Sequence, residues 1–152
     1  MRIRPFILAA LACGMTVACT DGKMQKEARQ LLDRAQSEYA AKRYDQALHT
    51  IDSLRKTYPE ALAARKEALK LYQQVALSQA QDNLARTDSQ LEKVKAEYAS
   101  MKRDAEDAKR RLCATAEQLQ AVTLKKMQLD SLQVQFDVEC AKIKYIHKKQ
   151  KE

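Results

Sequence analysis

The sequence contains few of the residues that interrupt helices. Its 152 residues include two Gly, two Pro and no Trp, and beyond Lys23 there is one Pro and no Gly. Because Gly and Pro supply turns and end helices, the chain cannot be rich in loops. This scarcity argues against β-sandwiches, barrels and the Gly-rich loops of nucleotide-binding folds.

Large apolar residues are also scarce. Leu, Ile, Val and Phe account for 30 of the 152 residues, whereas Ala, Glu, Lys, Leu and Arg account for 79. The first number leaves little material for a broad globular core, and the second is typical of coiled coils and long helices. We therefore predict an all-α chain, in which a repeat-like helical hairpin is followed by a long antiparallel two-helix coiled-coil arm.

Residues 1–18 have the organisation of a signal peptide. Two cations, Arg2 and Arg4, precede an apolar stretch over residues 6–17, which is shorter than the roughly 20 residues of a membrane span. The stretch ends in Thr16-Val17-Ala18-Cys19, a motif that resembles the lipobox of bacterial lipoproteins. This resemblance implies that residues 1–18 are removed and that Cys19 carries acyl chains such as palmitate, with residues 19–23 as a lipidated tether.

The same resemblance implies a location. Two or more acyl chains anchor a protein stably to a membrane, and Thr20 after the Cys implies delivery to the outer membrane in enteric-type bacteria. We therefore expect a lipid-anchored protein of the cell envelope, on a side of the membrane that the sequence leaves open. Cys13 is a competing acylation site, and an ordinary secretory signal with an incidental Cys is the alternative interpretation.

Residues 24–58 carry two runs of apolar residues at helical spacing. The pattern resembles one tetratricopeptide repeat, a helix-turn-helix unit, and its defining positions are Leu31, Ala35, Tyr44, Ala47, Leu48, Ile51, Leu54 and Pro59. Arg34 and Glu38 stand where that family prefers apolar residues, and a generic helical hairpin is the alternative. Pro59 is expected to end the second helix and to move Tyr58 out of the helical region. One repeat cannot bury its own face, so the next helix should cover it.

A long helix is predicted over residues 59–112. Apolar residues recur every seven positions with partners three positions later, which indicates a coiled-coil seam, at Leu84, Leu91, Val94, Tyr98, Met101, Ala105, Ala108 and Leu112. Leu62, Leu69, Tyr72 and Ala76 form an offset stripe, so residues 60–80 are expected to face a different partner from residues 84–112.

A returning helix is predicted over residues 116–148, before a basic tail at 149–152. Thr115 and Gln118 have the spacing of a capping box, which places a turn before them. The second seam comprises Leu119, Val122, Leu129, Leu132, Phe136, Ile143 and Ile146. If the chain folds back, Leu91 should face Phe136. A continuous rod, paired with another chain, is the alternative.

The residues that could carry chemistry are few and far apart. In the predicted hairpin Cys113 and Cys140 lie nearly 40 Å apart, too far for a disulfide, so we expect unpaired thiols, with an intermolecular bridge as the alternative. Cys140 and His147 lie about 10 Å apart along one helix, too far to ligate one zinc ion. We find no catalytic motif and expect neither a metal nor a cofactor, and no enzymatic activity.

The chain is basic, with a formal net charge of +8. Lysines gather at the C-terminus, where they complement the helix dipole or contact anionic lipid, and export argues against a nucleic-acid partner. The candidate interaction residues are Tyr44, Lys142, Lys144, Lys148 and Lys149. The expected function is a noncatalytic envelope lipoprotein that binds an unknown envelope protein or its own copies. The alternatives are a periplasmic holdase chaperone and a structural spacer.

Overall fold

The chain is all-α over the described residues, which confirms the predicted fold class. The structure, a computed structural model, describes residues 17–151, with side chains from residue 22 onward. It contains four helices, α1 (Val17–Ala40), α2 (Tyr44–Thr57), α3 (Leu62–Arg110) and α4 (Ala116–Lys149). The predicted signal peptide lies outside the described residues, apart from the backbone of its last two residues.

Helix α1 begins before the predicted hairpin. Residues 19–23, which we expected to form a tether, belong to the helix that starts at Val17. The single Gly in this segment, Gly22, does not end the helix, because one Gly in a helix interior costs only about 1 kcal/mol. No Pro lies between Pro5 and Pro59 to stop it.

The chain divides into two compact units, of which the first ends at Tyr72 and the second runs from Gln73 to Glu152. In the first unit, α1, α2 and the start of α3 share a core made largely of small residues. Its fully buried side chains include Ala28, Leu32, Ala35, Ala47, Ile51, Leu54, Ala61 and Ala68. Small side chains let helix axes approach closely, and the larger Leu32, Ile51 and Leu54 fill the remaining space.

The first part of α3 packs against α1. Ala28 of α1 packs with Ala61 and Ala64, and Tyr58 lies beside this cluster. The Tyr58 hydroxyl donates to Glu27 Oε2 at 3.1 Å, and an ion pair joins α1 to α3 on the surface. The helix that follows the hairpin therefore covers α1, as predicted.

The predicted stripe for that cover is wrong. Leu62, Leu69 and Tyr72 are 71%, 50% and 41% exposed. The buried stripe on this part of the chain consists of Ala61, Ala64, Ala68 and Leu71. Close approach of α1 requires the small side chains on the packed side, which leaves the larger ones facing solvent.

Helices α1 and α3 end in the same way. The backbone N–H of Arg43 donates to Glu38 O and that of Lys42 to Tyr39 O, while Cys113 and Leu112 repeat this pattern with Ala108 and Lys109. This is a Schellman motif, which places one residue in the left-handed region, usually Gly. Here Lys42 (φ 57°) and Leu112 (φ 56°) occupy that position, because the chain has no Gly after Gly22.

The boundaries predicted from Pro59 and Thr115 are confirmed. Helix α2 ends at Thr57, and Tyr58 has a non-helical backbone. At the start of α4, Thr115 Oγ1 accepts from the Gln118 N–H at 3.2 Å, and Gln118 Oε1 accepts from the Thr115 N–H at 3.1 Å. The capping box is therefore complete.

In the second unit, α4 lies against α3. Lys125 Nζ is 2.9 Å from Glu97 Oε2, and the buried residues of α3 include Leu91, Val94, Ala105 and Ala108. These four belong to the predicted seam. Leu112, predicted to end that seam, is 95% exposed, because it occupies the left-handed turn position.

The ion pair of Glu97 in the second unit does not join directly opposite positions of the predicted register. That register places Glu97 opposite Ser131, whereas the structure pairs Glu97 with Lys125, roughly one and a half helical turns closer to the turn. Lys and Glu side chains are long enough to pair residues that are offset along two helices. Lys125 also shows that the face of α4 that meets α3 contains charged residues.

Candidate interaction surfaces

The predicted acylation site, Cys19, lies in the first turn of α1. Its side chain is outside the described side chains, and residues 1–16 of the predicted signal are outside the described residues altogether. Lipidation of Cys19 therefore stays a prediction based on the sequence.

Tyr44 begins α2 and is half-buried. Its ring centroid lies 6.2 Å from that of Tyr39 at the end of α1, with the rings tilted by 43°. This geometry is within the range of favourable aromatic pairs. Tyr44 therefore joins the two helices at their turn and leaves only part of its ring for a partner.

A buried carboxylate connects α1 and α2. Glu38 is 4% exposed and Thr50 is 5% exposed. Thr50 Oγ1 donates to Glu38 Oε2 at 2.6 Å, and Arg34 Nε donates to Glu38 Oε1 at 2.9 Å. The Thr50 hydrogen bond is the largest cause that lowers the pKa of Glu38, and Arg34 adds to it, while burial acts in the opposite direction. Glu38, which departs from the repeat pattern, thus forms a buried polar connection to Thr50, while the exposed Arg34, which also departs from it, pairs with Glu38 from the same helix.

The four candidate lysines do not form one site. Lys142 Nζ is 2.7 Å from Glu139 Oε1, and Lys149 Nζ lies 5.9 Å from the centre of the Tyr145 ring. Lys144 and Lys148 make no ion pair with another described residue. The cluster is a basic helix end whose members have different neighbours.

Helix α4 is apolar on two faces. The face toward α3, here called the inner face, carries the half-buried residues Val122, Leu129, Leu132, Phe136, Ile143 and Ile146. A second set is exposed and comprises Leu124, Met127, Val134, Val138 and Tyr145. This second set lies outside the predicted seam, although its residues recur at regular spacing in the sequence.

The inner face also holds two charged residues. Lys125 is paired with Glu97, and the hydrogen bond from Lys125 is the largest cause that lowers the pKa of Glu97. Glu139 is 9% exposed, and its Oε2 has no hydrogen-bond partner among the described residues. It lines an open groove of about 410 Å³ together with Asn83, Arg86, Thr87, Gln90, Val134, Gln135 and Val138.

The described residues give no direct indication of chemistry. They contain no group of three or more His, Cys, Asp or Glu that could hold a metal ion. Cys113 is an exposed free thiol in the turn, and Cys140 is a half-buried free thiol on α4. No helix within the described range is long and apolar enough to cross a membrane.

Comparisons with known proteins give no match. No protein-family model, no curated protein and no solved structure matches this chain.

Proposed function

We propose that this chain is a noncatalytic, lipid-anchored protein of the cell envelope that acts as a protein-interaction or scaffold module. The anchor is supported by the sequence Thr16-Val17-Ala18-Cys19 at the end of a short apolar stretch. The interaction role is supported by large apolar side chains on solvent-facing helix surfaces. Thr20 after the Cys supports a location in the outer membrane, to which the protein would be joined through acyl chains on Cys19.

The observation that carries the interaction role is the exposed stripe formed by Leu62, Leu69 and Tyr72. These residues share one face of α3 in the first unit and are 71%, 50% and 41% exposed. A chain so poor in large apolar residues gains no stability by placing three of them in water. Grouped exposed apolar residues are typical of protein-binding surfaces.

The charges beside this stripe indicate the chemistry of its partner. Lys66 and Lys70 are exposed on the same turns of α3 and make no ion pair within the described part of the chain. A helix with an apolar stripe and an acidic rim would match both features. We therefore propose an acidic helical segment of another envelope protein as the partner.

The anchor can be tested by metabolic labelling with an alkyne analogue of palmitate. The wild-type chain should carry the label, Cys19→Ala should lose it, and Cys13→Ala should retain it. Mass spectrometry of the mature N-terminal peptide should find an acylated Cys19. Labelling that is lost in Cys13→Ala would assign the acyl chains to Cys13 instead of Cys19. An unlabelled wild-type chain would contradict the lipid anchor.

The partner can be tested by crosslinking in intact envelopes and purification of the chain. The wild-type chain should recover one protein in a fixed ratio. Leu69→Glu places an acid in the exposed stripe and should abolish recovery, whereas Gln74→Glu, at an exposed position outside the stripe, should not. Equal recovery with both variants would exclude this stripe as the binding surface.

A holdase chaperone is the second candidate. It is supported by the combination of exposed apolar side chains and a formal net charge of +6 on the chain without residues 1–18. The chain from Thr20 to Glu152 would then suppress aggregation of an unfolded outer-membrane protein at near-equimolar ratio. A specific scaffold would not suppress this aggregation and would instead bind one folded partner.

A further inference from the structure

The exposed apolar residues of α4 form a continuous heptad stripe, here called the outer face. Leu124, Met127, Val134, Val138 and Tyr145 are 57%, 63%, 62%, 46% and 61% exposed. Ser131 and Ala141 occupy the two remaining positions, so that the spacing alternates between three and four residues throughout. This alternation is the pattern by which one helix packs along another.

Helix α3 leaves most of the outer face uncovered, although Val134 and Val138 at one edge line the groove between α3 and α4. Successive residues of a helix are separated by about 100°, which places the outer face roughly opposite the inner face that already meets α3. Lys125, on the inner face, holds Glu97 of α3, while its neighbour Leu124 is exposed. Apart from the edge formed by Val134 and Val138, the outer face is therefore not covered by another described helix of the second unit.

The exposed apolar residues are concentrated on this helix. Between Gln73 and Arg111, no large apolar residue is exposed, whereas α4 exposes five on one side. Scattered apolar residues on a surface need no explanation, but a contiguous stripe marks an interface. The remaining question is which helix covers it.

We propose that the outer face of α4 binds the outer face of α4 in a second copy of this chain, with the two helices antiparallel. Full overlap of the two helices brings the stripe into register with itself. Leu124 then meets Ala141, Met127 meets Val138, and Ser131 meets Val134 of the other copy. Each small residue faces a larger one, which is the arrangement that fills a helix interface.

The ends of α4 also favour the antiparallel arrangement. The heptad positions beyond the apolar stripe are Gln120 and then Glu117 at the start, and Lys148 at the end. In the antiparallel overlap Gln120 meets Tyr145. Antiparallel overlap places Glu117 of one copy beside Lys148 of the other, and it does so twice. Parallel pairing would instead place Glu117 beside Glu117 and Lys148 beside Lys148, where like charges repel.

One rim pair opposes this arrangement. Asp130 and Asp137 of the two copies would lie near each other at the side of the interface. Within its own chain Asp130 is paired with Lys126, and Asp137 accepts from Gln133 Nε2 at 3.1 Å. Exposed charge pairs of this kind contribute only a few tenths of a kcal/mol, so this repulsion does not decide the orientation.

The size of the surface indicates a reversible dimer. A 34-residue helix is about 50 Å long and about 10 Å wide, which gives roughly 500 Å² per copy. Two copies would bury roughly 1,000 Å², at the lower limit for specific interfaces. We therefore expect self-association that depends on concentration.

Sedimentation velocity of the chain from Thr20 to Glu152, with Cys113 and Cys140 replaced by Ser, tests the association. This chain retains every described side chain except the thiols of Cys113 and Cys140. It should convert from monomer to dimer across the micromolar range. Leu124→Lys and Val134→Lys should each weaken dimerisation by at least about tenfold, with helicity unchanged because both side chains are exposed.

Ala99→Lys is the matched control, because it adds the same charge at an exposed position of α3. It should leave the monomer–dimer equilibrium unchanged. A chain that remains monomeric at every concentration, or an equal effect of all three variants, would overturn the proposal. The proposal would also be overturned if the outer face bound a helix of a different protein while the chain itself formed no detectable dimer.

Disulfide trapping in the same Cys-free chain tests the orientation. A disulfide requires Cα atoms within about 7 Å. Leu124→Cys alone and Ala141→Cys alone should remain uncrosslinked on mild oxidation, and a mixture of the two should give a dimer with one chain of each kind. Crosslinking of either variant with itself would show parallel pairing and overturn the antiparallel arrangement.

This inference is independent of the anchor and of the stripe at Leu62, Leu69 and Tyr72. The test chain lacks Cys19, and none of its substitutions lies in the first unit. Failure of the dimer would leave the proposed envelope scaffold standing. Failure of acylation or partner recovery would equally leave the dimer standing.

Discussion

Thr50 Oγ1 lies 2.6 Å from Glu38 Oε2, and this hydrogen bond joins α2 to α1 inside the first unit. Both residues are almost completely buried. A carboxylate in such a position must be hydrogen-bonded, because an unpaired buried charge is strongly destabilising. The residue that departs from the repeat-like pattern is therefore the one that fixes the two helices to each other.

Glu38 should make the stability of the first unit dependent on pH. Its pKa is lowered from the usual 4.5, chiefly by the Thr50 hydrogen bond. The stabilisation is therefore complete above pH 4.5 and is lost as the pH falls through the lower pKa of the folded state. The free energy of unfolding of the wild-type chain, measured with urea, should fall in that pH range. The free energy of unfolding of Glu38→Gln should depend less on pH there.

Thr50→Val provides the second variant for this prediction. It preserves the side-chain shape and removes the donor, so the buried carboxylate loses its largest stabilising contact. We expect a loss of about 1–3 kcal/mol at neutral pH and a weaker acid dependence than in wild type. An unchanged pH profile in both variants would show that other carboxylates control acid unfolding.

Leu112→Gly should stabilise the chain. Leu112 has a left-handed backbone (φ 56°), which costs a side chain with a Cβ about 1 kcal/mol and costs Gly nothing. Its side chain is 95% exposed, so its removal loses no packing. The free energy of unfolding should rise by up to about 1 kcal/mol, whereas Ala99→Gly inside α3 should lower it by about 1 kcal/mol.

Much of the helical framework was predictable because local signals determine it. Pro59 ended α2 before Tyr58, and the capping box at Thr115 started α4, since each depends only on nearby backbone groups. The buried positions Leu91 and Val94 followed from heptad spacing. None of these predictions required knowledge of which helices are neighbours.

The errors concern which side of a helix is covered. Leu62 and Leu69 looked like a core stripe, yet the close approach of α1 selected the smaller Ala64 and Ala68 for burial. Glu38 was hidden from hydrophobic patterning because its burial depends on a donor twelve residues away. The outer face of α4 was missed because one helix carries apolar residues on two faces.

Glu139→Leu should stabilise the second unit. Glu139 Oε1 accepts from Lys142 at 2.7 Å, but Oε2 is buried without a partner among the described residues. Replacing a partly satisfied buried charge with an apolar residue of similar size is often neutral or stabilising. We expect the free energy of unfolding, measured with urea, to rise by about 1 kcal/mol.

Glu92→Leu is the control, because Glu92 forms an exposed ion pair with Lys95, and it should give no gain in stability. A loss of stability with Glu139→Leu would indicate that a bound water satisfies Glu139 Oε2.

Thr115→Ala should destabilise the start of α4, because its side chain completes the capping box with Gln118. The expected loss is about 1 kcal/mol. Thr123→Ala is the control, since the Thr123 hydroxyl donates only to Leu119 O inside the helix and Ala is the better helix former.

The pKa of Glu117 gives a second measurement of the same cap. This pKa is lowered first by the backbone N–H of Glu117 and then by the Thr115 hydroxyl. NMR titration of Thr115→Ala should therefore show the pKa of Glu117 moving up toward 4.5, and an unchanged value together with unchanged stability would mean that the turn is held by its backbone alone.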